Sequence, residues 1–281
     1  MKSGAFANRD FRRYFVGQAC STFGDSAMFL ALAIWAKQLT GSSSAAGAVF
    51  FAFTAPMMIS APFLGYLADR VHRRPLLIVT NLLSAAVLLP LLMVHGSSQL
   101  WIIYVVAVLM GFSTSLLGAG NAGILKDMVA DEHLGGANAA LRTARDGLRL
   151  VSPLVGAGLF AAFGGGAVAL VDGATFVVAA IAAVMLRVQE SAPEPHDEPL
   201  RSSLTAGMRH IRMSPALFRL VTIAATACLV IGFDETLVIA VVDKGLHQAP
   251  AFLGVLASIG GAGAILGGVT SVRAIRRLGE M

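Results

Sequence analysis

The chain has 281 residues, of which 56% are hydrophobic and only 13% charged, and its formal charge is +5. A soluble domain carries about 25% charged residues, so the composition excludes that class. The positive charge does not describe a nucleic-acid surface either, because the basic residues lie between long apolar runs rather than on one face of a domain.

Apolar runs of about 20 residues are long enough to cross the ~30 Å hydrocarbon core of a bilayer, and membrane strands would need only about 10 residues in polar–apolar alternation. The pattern therefore predicts an all-α membrane protein with eight spans. The first covers Phe15 to Leu39 and turns at Gly41-Ser42-Ser43-Ser44. The second covers Ala45 to Leu67, and the third Leu76 to Val94. After His95-Gly96-Ser97-Ser98-Gln99 comes the fourth, Leu100 to Leu125, followed by a polar segment from Lys126 to Asn138. The fifth covers Leu141 to Phe163, and Gly164-Gly165-Gly166 turns it into the sixth, Ala167 to Leu186. The seventh covers Leu217 to Val242 and the eighth Phe252 to Val269.

The long connection between the sixth and seventh spans divides the chain. Glu190 to Pro199 is rich in proline and acid and reads as a linker. Leu200 to Met213 then places Leu200, Leu204, Met208 and Ile211 at helical spacing between arginines, which suits an amphipathic helix on the membrane surface; a solvated loop is the alternative. The expected divisions are residues 1–187, a six-span half; 188–215, a cytoplasmic linker; and 216–281, the beginning of a second half. A repeat supports this division. With Gly268 laid on Gly65, Arg273, Arg276 and Arg277 fall on Arg70, Arg73 and Arg74 at identical spacing.

Charge sets the orientation. With the N-terminus in the cytoplasm, all 21 lysines and arginines except Lys37 and Lys244 fall on the inner side. The reading expects a multi-pass protein of the inner or plasma membrane without a cleavable signal, since the first residues are polar and basic and the following apolar run is too long for a signal core.

Acids inside spans are costly and are functional candidates by default. Asp25 falls ~15 Å along the first span from Phe15, near the midplane, beside Gly24, which permits close helix approach. It is a candidate for proton coupling or substrate binding, or else a structural acid packed on a neighbouring helix. Asp234 and Glu235 lie about two thirds along the seventh span, and point about 100° apart, so at most one faces a cavity squarely; an outer vestibule would merely solvate them. Asp172, near the outer end of the sixth span, is a further candidate or an interfacial residue. Arg142, Arg145, Asp146 and Arg149 open the fifth span and read as topology anchors rather than substrate ligands. Cys20 and Cys228 stand far apart in apolar surroundings and make no redox or metal motif. Asp131-Glu132-His133 reads as an isolated polar turn, and no catalytic triad, phosphate loop or metal cluster is present. The expectation is a non-enzyme with no cofactor.

Between the second and third spans stands Gly65-Tyr66-Leu67-Ala68-Asp69-Arg70-Val71-His72-Arg73-Arg74. This G-x-L-A-D-R-x-x-R-R pattern resembles the loop between the second and third spans of the major facilitator superfamily, with His72 where glycine is usual. Ser152-Pro153-Leu154-Val155-Gly156-Ala157-Gly158 is similar to the fifth-span motif of that family's drug/proton antiporters, with serine for its first glycine; ordinary small-residue packing is the alternative. The resemblance implies a helical bundle of two six-span halves, of which this chain would lack about four spans. It implies secondary active transport by alternating access, most like bacterial drug-efflux and siderophore-export proteins. The partners would be protons, a small amphipathic molecule and the bilayer, with no nucleic acid, and the full-length protein would be a monomer. Gly65, Asp69, Arg70, Arg73 and Arg74 would form a gating loop whose charges, in the family, contact a later span. Pro153, Gly156 and Gly158 would form a kinked packing motif. A sugar or metabolite porter, or a non-transporting fragment or scaffold, are the competing expectations.

Overall fold

In hydrocarbon a backbone must satisfy its own hydrogen bonds, and helices do so within one segment. The computed structural model describes residues 5–188, 209, 211–242, 252, 255, 256, 259, 260 and 263, and within them the chain is helical with no strand. Its long helices are α1 (Arg9–Thr40), α2 (Ser43–Arg70), α3 (Arg73–Leu88), α4 (Leu100–Met128), α5 (Asp131–Phe163), α6 (Gly165–Val184) and α7 (Pro215–Ala240). Among the described residues six are long and apolar enough to cross a membrane: α1, α2, α3 with its 3-10 extension to Met93, α4 with its preceding turn, α5 and α6. The seventh expected span overlaps α7, which is not among those six. The eighth span, the repeat at Gly268 to Arg277, and most of the connection between residues 188 and 215 lie outside the described residues.

Local chemistry explains the ends. Asn8 caps α1 by accepting from the Asp10 N–H at 2.8 Å, and its Nδ2 donates to the Met128 carbonyl at 2.7 Å, tying the start of α1 to the end of α4. Gly41 ends α1 at φ 69°, a left-handed position that glycine takes without strain. Pro90 lacks the N–H that an α-helix needs, and α3 tightens there into the 3-10 turn Leu89–Met93.

Two expected boundaries move. The polar segment Lys126 to Asn138 is not a loop: α4 runs through Met128, and α5 starts at Asp131 after a break at Val129 and Ala130. Asp131 and Glu132 occupy the first turn of α5, where the helix dipole favours acids, so Asp131-Glu132-His133 is a helix start rather than a free turn. Consequently Arg142, Arg145, Asp146 and Arg149 do not open α5; they begin some three turns along it.

The packing order follows from small residues. α1 is the most enclosed helix and contacts α6, α5 and α2, while α2 lies along α4 and α3 against α6 and α4. A Cβ on Gly17 would collide with Ala179 and Ala182 of α6, and one on Gly111 with the Phe53 carbonyl of α2. Such glycines let backbones meet where lipid supplies no hydrophobic drive between helices.

Candidate functional site: a carboxyl pair between α1 and α6

Gly17 and Gly24 are seven residues apart and face the same neighbour. At Gly24 a Cβ would overlap the Asp172 carboxyl and the Thr175 hydroxyl, and would stand 3.1 Å from the Asp172 Cα. Glycine here brings the α6 backbone onto α1 one residue before Asp25. Asp172 is completely buried among the helices, at 0% exposure. The two carboxyls lie within electrostatic reach of one another.

Their partners are few. The Thr175 hydroxyl lies 2.8 Å from the Asp172 carbonyl and 3.3 Å from Asp172 Oδ1. Ser21, buried one turn before Asp25, is in hydrogen-bonding position for its carboxyl. That leaves Asp25 Oδ1 and Asp172 Oδ2, both closed from solvent, with no hydrogen-bond partner among the described residues. Buried polar atoms are nearly always satisfied, and an orphaned carboxyl oxygen marks either a strained site or one that takes a proton or a ligand. Holding one such carboxylate ionised at mid-membrane costs on the order of 2.5–3.5 kcal/mol on insertion scales, and two together cost more through repulsion.

The proline–glycine segment divides. Ser152 donates to the Leu148 carbonyl at 2.6 Å beside Pro153, which lies inside α5. Gly156 meets the backbone of Ala27 on α1, where an added Cβ would come within 2.8 Å of both Cα and carbonyl oxygen. Gly158 faces open space among the described residues. Only the first glycine is a contact, and it lies two residues from the carboxyl of Asp25 along α1.

The inner loop is a second charged cluster. Val71 and His72 form an extended break, with His72 at φ −60° and ψ 129°, so histidine replaces glycine here without strain. Gly65 has open space around it, and Asp69 is exposed in the last turn of α2. The Arg70 guanidinium lies 4.2 Å from the centre of the Tyr66 ring. Arg73 crosses Gly123 and bonds Asp127 of α4 at 3.1 Å, and Arg74 Nε donates to the Ala183 carbonyl of α6 at 3.1 Å. Arg73 and Arg74 thus engage α4 and α6 of the same six-helix unit. Asp234 and Glu235 belong to α7, but their side chains lie outside the described residues. Among the described residues no group of acids, histidines and cysteines could hold a metal ion.

Residues 14–280 match the Major Facilitator Superfamily. The chain belongs to that family. It is therefore a multi-pass membrane protein of a transporter family. It is also 24% identical over 254 residues to an uncharacterized MFS-type transporter, YfiS, of Bacillus subtilis (strain 168), a match covering 89% of this chain and 60% of that protein. The chain thus spans about 60% of the length of the curated relative it matches. Sequence reasoning had found Asp25, Asp172 and Gly24 separately. It missed their meeting, together with Ser21, Thr175 and Asp127. The seven-residue spacing of Gly17 and Gly24 was the available signal for the α1–α6 seam.

Proposed function

We propose that the protein is a proton-coupled exporter of small amphipathic molecules, with Asp25 and Asp172 acting together as its coupling site. The observation that carries this reading is the orphaned oxygen on each of two neighbouring buried carboxyls of α1 and α6. Two such groups are stable with a shared proton or with a cationic substrate, and exchange between those states is what antiport requires. The export direction draws support from the antiporter-like segment at Pro153 and Gly156, whose glycine packs on α1 beside this pair. Asp234 and Glu235 on α7 are further candidates for coupling. The protein works as a monomer in the inner membrane with the Arg70–Arg74 loop and the 188–215 connection in the cytoplasm.

The test uses the full-length protein in proteoliposomes with an imposed pH gradient. Asp25→Asn and Asp172→Asn should each reduce gradient-driven transport at least tenfold, the scale of about 1.4 kcal/mol or more in coupling, with unchanged insertion. Full pumping by both variants would make the acids structural. Orientation has its own check: with Cys20 and Cys228 replaced by serine, His72→Cys should resist an impermeant thiol reagent outside intact cells, and ready labelling would reverse the topology.

A further inference from the structure

The inner end of α6 opens on a shallow cleft of about 310 Å³ lined by Arg13, Arg74, Val184, Met185, Leu186 and Arg187. Three arginines from three parts of the chain converge here. Arg13 uses Nη1 both for Asp10 Oδ1 at 3.0 Å and for the Met185 carbonyl at 2.8 Å. Arg74 donates to the carbonyls of Ala183 and Val184, and the Arg187 N–H donates to Asp10 Oδ2 at 3.2 Å. Bare carbonyls at a helix C-terminus would repel an anion. Arg74 lies on those carbonyls and reverses the local sign. Among the described residues the lining of the cleft itself carries three arginines and no acid, with Asp10 bonded beside it.

The surroundings are as informative as the charge. Ile181, Val184 and Met185 are exposed apolar residues three and four apart, so they form a strip on α6 leading into the cleft. A basic floor joined to an apolar wall matches a molecule with an anionic head and hydrocarbon tails. Guanidinium groups suit phosphate oxygens in particular, because their fixed fork of donors fits two oxygens at once. Basic pockets between membrane helices on the cytoplasmic side hold anionic head groups in this way.

We propose that this cleft binds the phosphate group of an anionic glycerophospholipid of the inner leaflet, with an acyl chain lying along the Ile181–Met185 strip. A soluble phosphate shares the head-group chemistry but leaves the apolar strip unused. The assignment of the cleft to the inner leaflet rests on the orientation read from the basic residues. Binding in detergent depends on neither that orientation nor transport, so the test below fails or succeeds independently of them.

The experiment is native mass spectrometry of the detergent-purified full chain, titrated with phosphatidylglycerol and, separately, phosphatidylethanolamine. Phosphatidylglycerol should be retained at least fivefold more tightly, less so at high salt. Arg187→Ala should weaken it about fivefold, Arg187→Glu further, and Arg187→Lys should keep most of it, since the side chain is exposed and one surface cation sets that scale. Equal retention of the two lipids by the unaltered chain, or no effect of Arg187→Glu, would overturn the proposal. Displacement of phosphatidylglycerol by millimolar inorganic phosphate would overturn it in favour of a soluble phosphate ligand.

Discussion

The α1–α6 seam and the α2–α3 loop both concentrate charge, yet they use it in opposite ways. At the loop, the arginines meet a ring, an acid and a helix end: Arg70 on Tyr66, Arg73 on Asp127, Arg74 on the last carbonyls of α6. In the seam, two buried acids lie within electrostatic reach of one another, each keeping an oxygen with no partner among the described residues. The loop is exposed enough for water to screen its charges, so its pairs set geometry more than energy. The seam excludes water, so there an unmet oxygen costs several times more. Depth, more than residue type, decides which charges are positioned for structure and which for exchange.

The largest test of this contrast treats the seam as one unit. If Asp25 and Asp172 share a proton, the double variant Asp25→Asn with Asp172→Asn should transport no worse than either single variant, because each alone has already removed the exchange. Multiplying losses in gradient-driven uptake would separate the two acids into independent roles. Loop pairs, in contrast, should give small and nearly additive effects.

A smaller effect separates contact from composition in the proline–glycine segment. Gly156→Ala forces a Cβ onto the Ala27 backbone, which cannot retreat as a side chain can, and should cost about 1–3 kcal/mol of stability. Gly158→Ala meets nothing within 4 Å and should be neutral or up to about 1 kcal/mol stabilising through helix propensity. Thermal unfolding in detergent reads both. Equal losses would mean that the segment acts through its backbone flexibility rather than through the seam with α1.

Much of this architecture is legible from hydropathy, because span length is set by bilayer thickness, and the first six expected spans fall on the helices observed. The boundary at Lys126 to Asn138 was not legible: a membrane helix continues as a helix beyond the apolar run when its polar end is solvated, and hydropathy registers only the run. The pairing of Asp25 with Asp172 was hidden for a different reason. The two lie 147 positions apart in sequence, and only the register between antiparallel helices, set by Gly17 and Gly24, brings them together. Asp127 escaped notice because an acid in a polar stretch looks solvated until the neighbouring helix delivers Arg73.

The smallest expected effects lie in the loop, and there the sign of the change discriminates more than its size. A double-mutant cycle on Arg73→Ala and Asp127→Asn should give a coupling of about 1 kcal/mol or less, since the arginine is partly exposed. Asp69 offers the sharper case. It is an exposed acid in the last turn of α2, where the helix dipole already places partial negative charge. Neutralising it should leave thermal stability unchanged or raise it by a few tenths of a kcal/mol. If the loop also biases the equilibrium between inward- and outward-closed forms, Asp69→Asn should nonetheless slow transport, because removing a charge that acts in only one of two conformations shifts their balance. Stability and rate would then move in opposite directions, a combination that simple damage to the fold does not produce. A variant that transports at the parental rate would confine the loop's charges to anchoring α2, α3 and their neighbours.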